Sequence, residues 1–426
     1  MLPDLIDGLV LKGKAMIMTF KKLKTAIALA AAILALACFA ACAGGNKADP
    51  SNTADPAETP AQPTAPVDTG KVELYQLAPE RDSLMMSYVI VTPHRKIIVI
   101  DGGLDGAGFS APPYLPSAIR GILGIGQNDY FEVEAWFLSH GHKDHLNELA
   151  KMLTAYKAED NYKINNFYFD FPDFGKEWKT SSGEGDYDLE EVEKLKQGID
   201  NYYTVNPFGG IDGANIPEEQ WTRPADAENY YYDLVNGAVI NSTSVRDGLT
   251  ISIDGVDFQV LLTWKKASTN VNSTSVILRM VYEGKSVLFL GDAYTDSGQR
   301  LLKQYEADQI KSDYIQMGHH GQNGPAKAFY DAIDAANSKR LWPTPVWVWE
   351  VYKSKNNINT DTTRKWLGLP ADFNEFAAQG LLEAGNDFIA GLYKAYPDDP
   401  TRVDCWNKDV LDAQRVAVFE KLEPSS

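Results

Sequence analysis

One stretch of nine residues most constrains what this chain can fold into, because it concentrates metal-binding side chains beside a strand. It reads Phe137-Leu-Ser-His-Gly-His-Lys-Asp-His145 and holds three of the six histidines in 426 residues. Phe131 to Leu138 is β-prone and alternates in polarity, which predicts a strand that ends at this stretch. Leu146 to Leu153 has apolar residues at helical spacing, which predicts a helix leaving it. Such a strand-loop-helix turn lets several short side chains converge on one point.

The side chains of this turn predict a metal site. His140, His142, Asp144 and His145 offer imidazole nitrogens and a carboxylate, which are the ligands that borderline metals such as zinc prefer. The alternative is a polar turn that happens to be rich in histidine.

A second candidate ligand follows a buried strand. Ser286 to Leu290 is apolar after its first residue, which predicts a strand covered on both faces, and it leads directly into Gly291-Asp292. A carboxylate that emerges there is costly unless it meets a cation, so Asp292 is a candidate metal ligand. The alternative is that Asp292 caps the helix predicted to start near Thr295.

Two further loops follow predicted strands. Ser312 to Met317 predicts a short strand that ends at His319 and His320, so five of the six histidines lie in two loops. Lys96 to Ile100 predicts a hairpin strand that ends in Asp101-Gly-Gly, where glycine lets the backbone approach a site closely. Asp101 is therefore a candidate to orient a ligand histidine by a hydrogen bond, the alternative being a plain turn residue.

The front of the chain has the composition of an export signal. Residues 21–42 begin with lysines, continue with an apolar Ala/Leu/Ile run and end in small residues before Cys42. Phe-Ala-Ala-Cys42 followed by Ala-Gly-Gly-Asn resembles a bacterial lipoprotein cleavage box, so Cys42 is the candidate for lipidation and Cys38 the second choice. Met18 is a better natural start than Met1. A membrane-spanning helix is the alternative, and it is weaker because the run is short and rich in alanine.

Residues 43–70 are rich in Pro, Ala and Thr, which predicts a disordered linker behind the signal peptide of residues 1–42. The formal net charge is −18, and removal of residues 1–42 with their five Lys and two Asp would leave −21. Such an acidic chain is a poor partner for a nucleic-acid backbone. We expect an extracytoplasmic monomer, held by its lipid at the outer face of the bacterial cytoplasmic membrane.

The folded chain is predicted to span a hydrolase domain over residues 71–350 and a C-terminal extension over residues 351–426. Residues 154–250 are too long for a plain loop and predict an insertion that shapes a substrate cleft. The alternative is that the tyrosines of the insertion pack it onto the core. The extension is predicted to contain helices over Asp372–Glu383 and Lys408–Leu422.

The order of these motifs resembles the metallo-β-lactamase-fold hydrolase superfamily over about residues 71–350. The shared pattern is a strand, the His-x-His-x-Asp-His run, a helix, a strand ending in Gly-Asp and a strand ending in Gly-His-His-Gly. Residues 270–278, 289–292 and 317–321 look like the branch that contains the extracellular domain of bacterial competence DNA-uptake channels. Cell-surface phosphorylcholine esterases look related. The resemblance implies an α/β fold, a four-layer αββα sandwich with its site at one edge.

The resemblance also implies roles for the candidate residues. His319 would contact a substrate oxygen or protonate a leaving group, although His319 and His320 can exchange roles. Asp144 and Asp101 are the other catalytic candidates. The implied ligands of two divalent ions, zinc or else manganese, are His140 and His142 for the first, Asp144, His145 and His320 for the second, and Asp292 as a bridge.

The sequence departs from the superfamily pattern at the first ion. Many members supply one more histidine there, but this chain has no histidine from residue 146 to residue 318. The first site would hold two imidazoles, Asp292 and solvent, or would use Asp170 or Asn272. Two cations about 3.5–4 Å apart can hold a hydroxide at neutral pH, which would attack a carbonyl or phosphoryl centre.

A C-terminal aromatic stretch suggests one kind of substrate. Trp347 and Trp349 alternate with valine, which predicts a strand with an aromatic face. Aromatic rings beside a metal site could cage a quaternary ammonium such as choline, which would fit the esterase relatives. The alternative is that this face closes the core.

The sequence therefore predicts an exported, membrane-tethered hydrolase of an ester or phosphodiester bond. One alternative is a lipoprotein that binds a ligand or metal without turnover. Another is a nuclease of the competence branch, which the acidic charge disfavours. Hydrolysis of β-lactams is disfavoured because the histidine that lactamases use is missing.

Overall fold

A computed structural model describes residues 68–77, 84–104, 114–172, 185–205, 247–265, 268, 270–322, 324–344, 361–369, 382–384, 386–389 and 414–421. The predicted signal peptide with Cys42, nearly all of the linker, and Trp347 with Trp349 lie outside these residues. Within the described ranges, no helix has the length and apolar character needed to cross a lipid bilayer.

Strands and helices alternate through the described chain. The strands are β1 (Lys71–Gln76), β2 (Tyr88–Val91), β3 (Ile97–Ile100), β4 (Phe131–Phe137), β5 (Tyr162–Ile164), β6 (Phe167–Tyr168), β7 (Thr250–Ile253), β8 (Val256–Leu262), β9 (Ile277–Tyr282), β10 (Lys285–Phe289), β11 (Tyr314–Gln316), β12 (Lys339–Trp342), β13 (Leu382–Ala384), β14 (Asp387–Ile389) and β15 (Arg415–Glu420). The helices are α1 (Tyr114–Leu123), α2 (Lys143–Thr154), α3 (Gly185–Val205), α4 (Thr295–Gln304), α5 (Ala307–Ile310), α6 (Lys327–Ala332) and α7 (Asp361–Trp366).

The strands form two mixed sheets. The first has the order β15-β1-β2-β3-β4-β5, with β6 also beside β4. The second has the order β13-β14-β12-β11-β10-β9-β8-β7. In each sheet an antiparallel hairpin is followed by parallel strands. The hairpin of β2 and β3 leads to β4 in the first sheet, and the hairpin of β9 and β10 leads to β11 and β12 in the second.

Three apolar clusters show how the sheets and helices are layered. One cluster joins the first sheet to helices α1, α2 and α3. A second lies between the sheets, where the Phe137 and Phe258 rings stack with their centroids 5.0 Å apart. The third joins the second sheet to α4 and α6, through Leu301 and Phe329. This helix-sheet-sheet-helix order confirms the four-layer αββα fold class predicted from the sequence.

The C-terminal region corrects the sequence analysis. The helix predicted over Lys408–Leu422 is wrong, because Arg415–Glu420 is strand β15 and pairs antiparallel with β1. Its β-prone residues bury Val416 and Phe419 against the core, so sheet pairing overrides helical spacing. The helix predicted over Asp372–Glu383 is wrong at its end, where Leu382 to Ala384 form β13; residues 372–381 lie outside the described ranges. Both sheets therefore use residues beyond position 350.

The parallel strands determine where the candidate residues meet. Parallel neighbours present their carboxyl ends at the same edge of a sheet. Asp101 follows β3 and His140 follows β4 in the first sheet, while Asp292 follows β10 and His319 follows β11 in the second. The strand pairing thus brings the predicted loops to one edge of the sandwich.

Candidate metal centre

Four side chains converge at this edge as a first cluster of buried ligand atoms. Asp144, His145, Asp292 and His320 each offer one atom within 4.8 Å of the others. His320 Nε2 lies 3.1 Å from Asp144 Oδ2, and His145 Nε2 lies 3.2 Å from Asp292 Oδ1. All four residues are buried, which is the environment of a divalent metal site and not of a solvated acidic patch.

A second cluster shares one residue with the first. His140, His142 and Asp292 place one ligand atom each within 4.8 Å of the others. His140 Nε2 lies 2.9 Å from His142 Nδ1 and 3.8 Å from Asp292 Oδ2. Asp292 therefore turns Oδ1 toward one cluster and Oδ2 toward the other, as a carboxylate that bridges two ions would.

Local backbone structure explains how these side chains are aimed. Helix α2 starts at Lys143, so Asp144 lies in its first turn, where a carboxylate is favoured by the helix dipole. Helix α4 has Tyr294 as its N-cap and no side-chain cap, so Asp292 is not used to cap it. His319 and His320 have φ angles of 52° and 54°, in the left-handed region that costs non-glycine residues free energy. Such strain is typical of functional loops.

Asp101 connects the strand β3 end to the histidine loop. Its φ is 61°, and its buried carboxylate accepts hydrogen bonds from the Ser139 N–H at 2.7 Å and the Ser139 hydroxyl at 2.9 Å. His145 Nδ1 donates to the same carboxylate at 2.8 Å. Asp101 thus orients His145 through Nδ1, while Nε2 of the same ring faces Asp292, which is the arrangement expected of a residue that fixes a ligand ring.

Replacing Asp101 by asparagine is expected to weaken the binding of one divalent ion by about tenfold to a hundredfold. Asparagine tolerates the left-handed backbone, so the change removes an acceptor and not the turn. Titration calorimetry with Zn²⁺ measures the effect. Asp254→Asn is the matched control, because Asp254 also has a positive φ of 53° and accepts from the His94 N–H at 2.8 Å in another turn. Equal metal affinities in both variants would contradict the orienting role.

The Nδ1 atoms of His140, His145 and His320 each lie within hydrogen-bond distance of an oxygen of the protein. Because a carboxylate can only accept, and the Ser139 hydroxyl already donates to Asp101, Nδ1 is the donor in His140 and His145. In His320 the Thr344 hydroxyl can accept in the same way and donate to the Met85 carbonyl at 3.5 Å. The three acceptors are Ser139 Oγ at 3.0 Å for His140, Asp101 Oδ2 at 2.8 Å for His145 and Thr344 Oγ1 at 2.8 Å for His320.

The Nε2 atoms of the same three histidines face carboxylate oxygens, which can only accept hydrogen bonds. With Nδ1 donating, a neutral imidazole presents a lone pair at Nε2. These Nε2 atoms lie 3.1–3.8 Å from the carboxylate oxygens of Asp144 and Asp292. His145 Nε2 and Asp292 Oδ1 are both buried and make no hydrogen bond within the described chain. Buried acceptors that face each other need a proton or a metal cation between them, and four imidazoles and two carboxylates this close together fit a divalent metal.

The pKa shifts show that the carboxylates of the centre favour positive charge beside them. Burial lowers the pKa of His145, but the charges of Asp292 and Asp101 outweigh burial and hold that pKa well above its usual value. Burial raises the pKa of Asp292, and His145 and His320 outweigh it and keep that pKa well below its usual value. Burial, with His145 and His142 nearby, lowers the pKa of His140. The carboxylates therefore stay ionised and require positive charge beside them.

The side chain of His319 has different hydrogen-bond partners from that of His320. Its Nδ1 donates to the Gln322 carbonyl at 3.1 Å, and its Nε2 lies 3.5 Å from Asn272 Nδ2. Burial lowers the pKa of His319, so the ring is neutral at neutral pH with a lone pair on Nε2. His320 belongs to the ligand cluster and His319 does not. Their roles in catalysis stay predictions.

Asp170, one of the two extra ligands considered from the sequence, has hydrogen-bond partners that belong to neither cluster. Burial raises its pKa to about 8, against hydrogen bonds with Thr263 and Trp264. It is part of neither ligand cluster. Ser139 and Thr344 are not among the residues predicted from the sequence. Ser139 lies inside the histidine loop and Thr344 lies just past the end of strand β12, and these positions are the signals that could have identified them.

Comparison with known proteins finds no family model and no curated protein that matches the chain. Similar solved structures include the metallo-beta-lactamase fold protein YhfI from Bacillus subtilis, at 12% identity and a TM-score of 0.33 over 64% of this chain and 86% of that one. A diphosphatase of the PhnP family has 11% identity and a TM-score of 0.35 over 76% and 95%. A metallo-beta-lactamase from Cronobacter sakazakii has 12% identity and a TM-score of 0.28 over 70% and 90%. At these identities and scores the similarities assign neither a family nor an activity to the chain.

Proposed function

We propose that this protein is a metal-dependent hydrolase with two divalent ions. The observation that carries the proposal is the pair of ligand clusters, made of four imidazoles and two carboxylates, that share Asp292. His140, His142 and Asp292 would hold the first ion, and Asp144, His145, His320 and Asp292 the second. Histidine and carboxylate donors suit zinc, with manganese as the alternative.

The chemistry divides between the ions and the protein. When bound, such an ion pair supplies Lewis acidity and activates water at neutral pH. Asp292 sets the position of both ligand clusters relative to each other, while Asp101 and Thr344 fix the rings of His145 and His320. His319 presents the Nε2 lone pair, so it would accept a proton or hydrogen bond from a substrate before it could donate one. This refines the leaving-group role that the sequence suggested for His319.

The substrate and the location belong to the same proposal. The motif resemblance favours an ester or phosphodiester bond as the target. The signal-like residues 21–42 favour an exported protein that is tethered through a lipid at Cys42. The acidic sequence favours a small-molecule or cell-surface substrate over a nucleic acid.

Metal analysis with a substrate screen tests the proposal. We expect two zinc or manganese ions per chain, loss of turnover after chelation and recovery on adding the metal back, with phosphodiester, lactone and lactam substrates compared. His320→Ala should lose an ion and turnover. His94→Ala is the matched control, because the His94 ring is 45% exposed and pairs with Asp254 away from the centre. A chain that binds two ions and hydrolyses none of these substrates would support the ligand-binding lipoprotein, and a chain without metal would refute the centre.

A further inference from the structure

The two ligand clusters are unequal in the number of donors that they offer. The cluster with His145 and His320 has four acidic or imidazole residues, whereas the cluster with His140 and His142 has three and shares Asp292. Zinc in proteins is almost always bound by four ligands or by three and a solvent or substrate. A neutral oxygen near His140 and His142 would make the two sites more alike.

One buried amide oxygen near the centre resembles two of the candidate ligand atoms in having no hydrogen-bond partner within the described chain. Asn272 Oδ1 is buried and has no hydrogen-bond partner within the described chain, as is also true of His145 Nε2 and Asp292 Oδ1. A buried amide oxygen without a partner has lost its hydration and gained nothing in return, so native proteins rarely retain one without a ligand or solvent to bind.

The orientation of the Asn272 amide follows from its neighbours. The Gln322 carbonyl can only accept, so His319 Nδ1 carries a proton and donates to it at 3.1 Å. His319 Nε2 is then an acceptor, and the Asn272 amide group turns its Nδ2 donor toward it at 3.5 Å. The opposite amide orientation would place an oxygen against a lone pair. Oδ1 is therefore the atom that remains for another partner.

The turn that carries Asn272 is hydrogen-bonded to the loops of Asp292 and His140. The Ser275 hydroxyl donates to the Asn272 carbonyl at 2.8 Å and accepts from the Asp292 N–H at 3.1 Å. The Val276 N–H donates to the Ser139 carbonyl at 2.8 Å, one residue before His140. The turn is thus hydrogen-bonded on one side to Asp292 and on the other to the loop of His140. Asp170, the other extra ligand considered, has its own hydrogen bonds with Thr263 and Trp264.

We propose that Asn272 supplies a neutral oxygen ligand, through Oδ1, to the divalent ion held by His140, His142 and Asp292. The inference rests on the proposed dinuclear centre and adds to it the ligand that the histidine and carboxylate residues alone do not provide. An amide oxygen is a harder donor than imidazole, so this site would bind manganese more readily than a site made only of histidines.

Calorimetric titration of the metal-free chain with Zn²⁺, and separately with Mn²⁺, tests the inference. In Asn272→Leu, which keeps the size of the side chain and removes its oxygen, we expect one of two binding events to weaken at least tenfold and the other to be unchanged. In Asn272→Asp, which keeps the oxygen and adds charge, we expect the same event to tighten severalfold. If the leucine variant does not fold, the aspartate variant still tests the inference.

The control variant is Asn201→Leu. Asn201 donates to the Leu153 carbonyl at 2.8 Å and to the Tyr156 carbonyl at 3.2 Å between helices, so its loss should lower the melting temperature and leave both ions bound. Two wild-type affinities in Asn272→Leu, or in Asn272→Asp, would overturn the inference. A raised KM with unchanged metal affinities would do so too, because Oδ1 would then face the substrate. A wild-type chain that binds no metal would instead refute the centre itself.

Discussion

Replacing Asp292 by asparagine is expected to leave the chain with no more than one tightly bound ion and to lower hydrolysis at least ~10³-fold, equivalent to ~4 kcal/mol. The reason is that the two Asp292 oxygens face different clusters, at 3.2 Å from His145 and 3.8 Å from His140. Asparagine keeps the shape but has only one oxygen, so it cannot bridge. Metal content of the purified variant and its turnover of the best substrate measure the effect.

A distant carboxylate provides the control for this change. Asp308 lies in helix α5 with a side chain that is 91% exposed, and its nearest charge is Lys311 at 3.5 Å. Asp308→Asn should keep both ions and full turnover. Two ions bound to Asp292→Asn at wild-type affinity would show that the bridge assigned to Asp292 does not exist.

Substituting Gly321 by alanine is expected to lower the free energy of unfolding by about 2–5 kcal/mol, from left-handed strain and overpacking together. Gly321 has a φ of 87°, and an added methyl group would strike the ring of Trp342. That ring is fully buried and its Nε1–H donates to Asp387 at 2.8 Å, so it cannot move aside. Because His320 precedes Gly321, we also expect the affinity for one ion to fall at least tenfold. Denaturant titration and calorimetry measure the two effects.

Gly284 provides a control that distinguishes backbone strain from steric overlap with a neighbouring side chain. Gly284 has a similar φ of 76° in the β9–β10 turn, and an added Cβ there meets nothing within 4 Å. Gly284→Ala should therefore cost only about 1 kcal/mol and leave metal binding unchanged. Equal losses of stability in the two variants would mean that contact with Trp342 contributes nothing to the position of His320.

The sequence was sufficient to predict the ligand loops because each one directly follows a strand. Local alternation predicts strands such as Phe131–Phe137, and the side chains just past their ends then meet at one edge. The helix predicted over Leu146–Leu153 is confirmed within α2 for the same local reason. Fold class and candidate ligands thus depended on short-range patterns, which a single sequence contains.

Long-range partners could not be predicted in this way. Thr344 lies 24 residues beyond His320, and no spacing rule links a threonine to that ring. The pairing of Arg415–Glu420 with β1 joins segments that are more than 300 residues apart, and its local pattern was read as helical. The choice between Asp170 and Asn272 likewise needed hydrogen-bond partners that only the folded chain brings together.

The pairing of β15 with β1 has a consequence for folding. Strand β1 stays at an open sheet edge until Arg415–Glu420 has joined the sheet beside it. Unpaired edge strands template aggregation, so a chain truncated before residue 415 would expose the edge of β1, which β15 covers in the intact sheet.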